Sequence, residues 1–320
     1  MKYIKDFADG EKMTGIYFCK SRVSSVTKNG KQYDNVILQD KSGVIDAKIW
    51  DPSNPGIAEF TANDYIDVLG DISLFAGSLQ VSIKRARIAD ETEYSVSDYM
   101  PCSRYAIEDM YKALNSYINS IKNQYLKKLV DMFFNENSDF IDKIKKSSAA
   151  KSVHHGFIGG LLEHTLGVVR LCSFYSKAYP MLNHDLIVTA ALFHDIGKIV
   201  ELSEFPQNEY TDDGQLIGHI IIGYQMVHDA IGKIDGFPHV LASELEHCIL
   251  SHHGELEYGS PKKPALAEAL ALSLADLTDA RMETMREILD SSSNKGEWLG
   301  YNKLLESNIR KTIIDDVKEE

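Results

Sequence analysis

Cysteine, proline and long apolar runs are scarce in this chain, and a surplus of basic charge is missing altogether. The four cysteines, Cys19, Cys102, Cys172 and Cys248, are scattered without a Cys-x-x-Cys pair. That excludes a zinc ribbon or a disulfide frame and points to reduced thiols in a cytoplasmic protein. Apolar runs such as LIVTAALF (186–193) are far too short to cross a bilayer. The opening MKYIKDFADGEKM carries charge where a signal peptide needs an apolar run, so no membrane partner is expected. A formal net charge of −13 argues against wholesale binding to a polyanion. Its distribution is uneven: residues 1–90 hold 12 basic and 12 acidic side chains, so the remaining 230 of 320 residues carry all of the excess. An acidic segment can still act on phosphates if it holds divalent cations, which reverse the local sign.

Two textures divide what is present. From Thr14 to Asp90 the pattern is that of strands. TGIYFCKSRVSSVT runs into Asn29-Gly30, a strong hairpin signal, followed by QYDNVILQD, a Lys41-Ser42-Gly43 turn and VIDAKIW. PGIAEFTAND reads as a short helix or loop, and a last hairpin turns around Gly77. Five strands with an insertion between the third and fourth suit a five-stranded Greek-key barrel, the OB-fold. Beyond Glu91 a linker broken by Pro101 leads into helical periodicity, with helices expected near 103–134, 157–178, 184–194, 217–232, 239–251 and 265–290. The expected fold is multi-domain, α and β: a barrel over 1–92, a linker and helical connector over 93–150, an all-α domain over 151–310 and a charged tail over 311–320.

All eleven histidines lie between His154 and His253. His164 sits mid-helix, His194-Asp195 ends the LIVTAALF helix, His219 opens GHIIIGYQMV, His252-His253 ends EHCILSHHG, and Asp276 interrupts an apolar helix. A buried carboxylate is costly unless it is paired or metal-bound, so Asp195 at the end of a buried helix needs a partner. Imidazoles with carboxylates are the donor set of Mn, Fe, Co or Zn. Taken singly, each residue has a plain alternative: Asp276 could pair with Arg281, and His184, His228, His239 and His247 read as ordinary histidines. His228 lies half a turn out of phase with His219 on a helix.

The ordered motifs HHGFIGGLLEHT, ALFHDIGKIVELS, GQLIGHI, LSHHGELEYGSPKKP and DLTDARM resemble the HD-domain metallophosphohydrolase superfamily. With the barrel in front, essentially the whole chain resembles the bacterial YhaM-type 3′-5′ exoribonucleases. That resemblance implies two divalent ions, Mn most readily and Co, Fe or Zn otherwise. One would be held by His164, His194, Asp195 and Asp276, and the second by Asp195, His219, His252 and His253. It implies removal of nucleotides from 3′ ends of single-stranded RNA, and also of DNA, as nucleoside 5′-monophosphates. Asp195 would be central to the chemistry. Lys198 would be a cation for a phosphoryl oxygen, or else a solvated lysine after a glycine helix stop. His155 or His154 would contact the scissile phosphate or leaving group, or else take a supporting or surface role. Asp279, one turn beyond Asp276, suits a supporting role.

The barrel would hold the strand, with stacking candidates among Tyr17, Phe18, Tyr33, Trp50 and Phe75. Its cations are Lys28, Lys31, Lys48 and the local cluster Lys84, Arg85 and Arg87. Two rival readings stay open: a hydrolase of free nucleotides or cyclic dinucleotides with the barrel regulating it, and a binding protein without activity. Assembly of several copies is compatible with an acidic helical domain.

Overall fold

The computed structural model describes residues 2–27, 29–75, 77–151, 155–291 and 296–312; Lys28, His154 and most of the tail lie outside the described residues. The chain divides into two compact units, Met1–Cys102 and Ser103–Glu320.

The first unit is a closed barrel of β1 (Lys12–Val26), β2 (Gln32–Asp40), β3 (Gly43–Ile49), β4 (Tyr65–Phe75) and β5 (Ser78–Ile88), in the order β1-β2-β3-β5-β4. Neighbours are antiparallel except β3 and β5, which run parallel with Ala47 opposite Val81. This is the topology of an OB-fold. β1 is long because it serves two neighbours, β4 through its first half and β2 through its second. An irregularity between Cys19 and Ser21 bends it between them. Alternation sets the core: on β2, Asp34, Val36, Leu38 and Asp40 face inward. The two inward carboxylates are paired, Asp34 with Arg22 and Ser24, and Asp40 with the Ile4 amide and Ser42. At Gly70 a side chain would meet the Ser82 carbonyl at 2.7 Å, so only glycine lets β4 and β5 close there.

One sequence expectation narrows and another shifts. Of the short helix or loop read for the insertion, 51–64 takes the loop, because Asn54 accepts from the Gly56 amide and Ile57 bridges to Ala86. Residues 93–102, expected to begin the connector, belong to the barrel unit. Tyr94 stacks on Tyr65 at 4.0 Å, and the Tyr99 carbonyl accepts from Gln39.

The second unit is helical: α1 (Ile107–Ile118), α2 (Gln124–Phe134), α3 (Ser138–Lys146), α4 (Gly160–Ala178), α5 (His184–Phe193), α6 (Lys198–Glu201), α7 (Asp212–Leu216), α8 (His219–Ile231), α9 (His239–Leu250) and α10 (Ala267–Ser291). Its centre is α5, whose eight residues Leu186–Phe193 are all buried. A helix apolar on every side has no solvent face and must sit in the core. Asn183 starts it by accepting from the Leu186 amide. A hairpin the sequence reading did not anticipate, β6 (Trp298–Asn302) with β7 (Ser307–Arg310), follows α10. Its signal was weak: Trp298 and Tyr301 on one side and Ile309 on the other, around a Lys303-Leu304-Leu305-Glu306 turn that is half apolar.

Candidate metal centre

The site is assembled where α5 ends. Its last residues point His194 and Asp195 out of the buried helix, and Gly197 then lets α8 come close. A side chain at 197 would overlap the His219 carbonyl and lie 2.7 Å from the Gly223 amide. The close backbone approach brings His219 to Asp195. On α4, Gly167 performs the same service for α10, since a side chain there would overlap the Asp279 carboxylate.

Asp195 is 2% exposed, and its two oxygens face different histidines. Oδ2 lies 3.4 Å from His164 Nε2 and 3.4 Å from His194 Nε2. Oδ1 lies 3.4 Å from His219 Nε2 and 3.5 Å from His252 Nε2. Asp276 closes the first group, its Oδ1 3.1 Å from His164 Nε2. His253 joins the second group, where one donor atom from each of Asp195, His219, His252 and His253 falls within 4.8 Å of the others.

The outer ring nitrogens explain why the inner ones are available. The Nδ1 of His164 faces Asp279 at 2.7 Å, that of His219 faces Glu201 at 2.9 Å, and those of His194, His252 and His253 face the carbonyls of Ala191, Ile249 and Tyr258. Each of these partners accepts, so each Nδ1 carries the proton and each Nε2 presents a lone pair to the centre. His164 Nε2 and His194 Nε2 then sit 3.1 Å apart, an arrangement that requires a positive charge between lone pairs. Asp195 Oδ1, His219 Nε2 and His252 Nε2 are buried with no hydrogen-bond partner among the described residues. Buried polar atoms are rarely left so. Three orphaned donors converging on one another fit a divalent cation with N and O ligands.

Ionisation follows the same logic. Burial pushes the Asp195 carboxyl up, but Lys198, His194 and His164 outweigh it and hold it well below the usual carboxylate range. Burial likewise opposes charge on Asp276, and His164 overcomes it, keeping the carboxylate ionised. Burial lowers His252 and His253, so both remain neutral donors. His164 goes the other way: burial disfavours its charge, yet Asp195, Asp276 and Asp279 raise it well above an ordinary histidine. Without another cation, a proton there serves the cluster of carboxylates. Lys198 Nζ also sits 2.6 Å from Asp195 Oδ2.

The structure brings together all seven residues singled out as ligands. It places Lys198 beside them, on a cleft of about 740 Å³ that His164, His253 and Asp276 also line. His155 is 2% exposed and reaches Asp279 Oδ2 at 3.0 Å, behind His164; it does not line the cleft. Asp279 therefore joins two histidines. Asp276 faces His164, not Arg281. Glu201, one turn after Lys198, escaped notice because a lone glutamate in KIVEL carries no signal until His219 is seen against it.

In the barrel unit the local basic cluster is largely neutralised. Lys84 pairs with Asp71, and Arg87 with Asp67 and Glu93. The register explains this, since β4 sets Asp67 opposite Arg87. Arg85 makes no ion pair among the described residues. Tyr17 and Phe18 are core residues. Tyr33 and Trp50 instead stack on the outer face of β2 and at the end of β3, 5.3 Å apart, with Lys48 over the Tyr33 ring at 5.5 Å. Phe75, at the β4–β5 turn, is exposed.

No helix of the described residues is long and apolar enough to cross a membrane. Among solved structures, the chain is similar to the second OB-fold domain of replication protein A from Methanococcus maripaludis. The identity is 18% over 28% of this chain and 95% of that one, with a TM-score of 0.24. A likeness that weak carries no argument, and the description of the barrel rests on its own strand order. Residues 161–281 match the family model of the HD domain, a stretch that contains all seven converging histidines and aspartates. Over that stretch the second unit matches the HD domain, a kind of domain typically found in metal-dependent hydrolases.

Proposed function

We propose that this chain is a divalent-metal-dependent phosphodiesterase that shortens single-stranded RNA, and DNA as well, from the 3′ end, releasing nucleoside 5′-monophosphates. The observation that carries the reading is Asp195, whose two oxygens face two separate histidine groups, with His164, His253 and Asp276 of those groups lining a cleft. In this reading His164, His194, Asp276 and Asp195 hold one ion, and His219, His252, His253 and Asp195 the other. Divalent cations, Mn foremost, would supply an activated water and offset charge on the phosphoryl oxygens.

The chain's own residues do the rest. Asp279 and Glu201 fix the ring orientation of His164 and His219 by accepting from Nδ1. His155 holds Asp279 from behind, which supports the positioning role over the phosphate contact, the two roles its sequence context leaves open. Lys198 keeps its proton: burial alone would lower its pKa, but Asp195 raises it, so an ammonium stands at the cleft for a non-bridging oxygen. The Tyr33–Trp50 pair with Lys48 gives the barrel a stacking platform for a strand on the β2–β3 face that OB-folds use. That platform, and not the paired Lys84 and Arg87, is the better candidate. Neutralisation of those two cations is the observation that favours the rival reading, a hydrolase of small nucleotides with a regulatory barrel.

The test uses metal-stripped protein and a single-stranded RNA labelled at its 5′ end, with and without Mn²⁺. A ladder shortening from the 3′ side, present only with metal and lost in His194→Ala, is expected. Intact RNA alongside hydrolysed free or cyclic nucleotides would replace the reading with its rival.

A further inference from the structure

The cleft extends past the histidines, and its far part has no role in the chemistry described so far. Its wall there is one face of α10, where Leu277 and Arg281 lie, facing the turn of the β6–β7 hairpin with Lys303 and Leu304. Neither Arg281 nor Lys303 makes an ion pair or side-chain hydrogen bond among the described residues. The contrast with Arg286 is informative: one turn and a residue further on, it is tied to both Glu163 and Glu283. In a unit this rich in acids, two cations left unpaired on one cleft mark a place for an anion that comes from outside.

We propose that Arg281, supported by Lys303, binds the phosphate one nucleotide to the 5′ side of the bond that is cut, and that Leu277 and Leu304 carry the adjoining base. The proposal rests on the phosphodiesterase reading and names its substrate class: a strand with at least two consecutive phosphodiesters. Spacing supports it. Asp276 and Arg281 both line the cleft, five residues apart on one helix, about 7.5 Å along its axis and about 140° around it. The axial distance is close to one backbone step of an extended strand. Adjacent phosphates of a nucleoside triphosphate share an oxygen and lie much nearer each other, so such a molecule would leave Arg281 unused. A guanidinium suits the task because its fork meets two phosphate oxygens at once. The two leucines are exposed, at 43% and 55%, and both line the cleft, so they present apolar surface beside the two cations. An apolar shelf accepts any base, so the cleft would read the backbone and not the sequence.

The experiment compares a trinucleotide with a dinucleoside monophosphate, using the full chain loaded with Mn²⁺. Only the trinucleotide has a phosphate to the 5′ side of its terminal bond. The quantity read is the ratio of kcat/KM for the two compounds. Arg281→Gln should reduce that ratio by about 10–100-fold, the range of a lost charge-assisted hydrogen bond, chiefly through KM. Arg281→Lys should recover much of it, and the salt dependence of kcat/KM on the trinucleotide should become shallower in Arg281→Gln. An unchanged ratio, including the case where both compounds slow equally, overturns the proposal alone. A wild-type protein that cuts neither compound overturns the phosphodiesterase reading and this proposal with it.

Discussion

Adding Mn²⁺ to chelator-stripped protein should stabilise the helical unit and leave the barrel alone. Three buried atoms of the centre, Asp195 Oδ1, His219 Nε2 and His252 Nε2, have no hydrogen-bond partner among the described residues. A buried polar group left unsatisfied costs about 1–3 kcal/mol, so the three together set an upper bound of roughly 3–9 kcal/mol that a shared cation could relieve. Mass action gives a firmer figure: free ion at a hundred times its dissociation constant adds about 2.7 kcal/mol. For a unit of roughly 200 residues, each kcal/mol moves Tm by about 2–4 °C, which gives a rise of about 5–11 °C. Calorimetry is the assay, and fluorescence assigns the transitions, because each unit contains one tryptophan, Trp50 or Trp298. Asp195→Asn should abolish the rise. A helical transition that moves by less than about 1 °C at saturating Mn²⁺, or an equal rise in the barrel, would refute the reasoning.

Further predictions follow from single contacts. Gly197→Ala sets a methyl against the backbone of α8, and should cost about 1–3 kcal/mol in urea unfolding while weakening Mn²⁺ binding. Asp279→Asn keeps the shape but loses the carboxylate that orients His164, and should weaken Mn²⁺ affinity about 10–100-fold by isothermal titration calorimetry. In protein silenced by His194→Ala, Trp50→Ala should weaken binding of a single-stranded RNA by about 1–3 kcal/mol in a fluorescence titration, whereas Lys84→Ala, already paired with Asp71, should change it far less. Burial pushes the Cys19 thiol from 9.0 up to about 11 and the Tyr65 phenol from 10.0 up to about 12. Their contribution to stability is complete below about pH 9 and is lost as pH climbs through about 11 and 12, because the unfolded chain releases these protons first. The Tm of the barrel should therefore fall steadily above about pH 9 in a series of melts, and a flat profile would contradict the assigned burial.

How much of this was legible beforehand depends on how local the cause is. Strand alternation and the Asn29-Gly30 turn are local, and they located every strand of the barrel. The seven converging residues were legible through their order along the chain, because each sits at a helix end or interrupts an apolar helix. What escaped depended on who faces whom. Lys84 and Arg87 look like a basic patch until the register sets β4 acids against them. His155 looks like a cleft residue until its left-handed backbone, φ 61°, is seen to turn the ring inward onto Asp279. Glu201 has no meaning without His219, and the β6–β7 hairpin was hidden by a prevailing helical texture. Pairings across elements are set by the fold and leave little trace in a linear pattern.

The burial of α5 has a consequence beyond stability. Because the helix has no exposed face, the packing that keeps Leu186–Phe193 dry is also the fixture that aims His194 and Asp195. A core substitution such as Leu192→Ala would therefore misdirect the chemistry from inside, with no contact to any substrate. Conversely, nothing on α5 is free to drift without loss of aim. Diversification of such a protein is channelled elsewhere: into the far wall of the cleft, the late hairpin and the face of the barrel, where residues can change while the centre stays fixed.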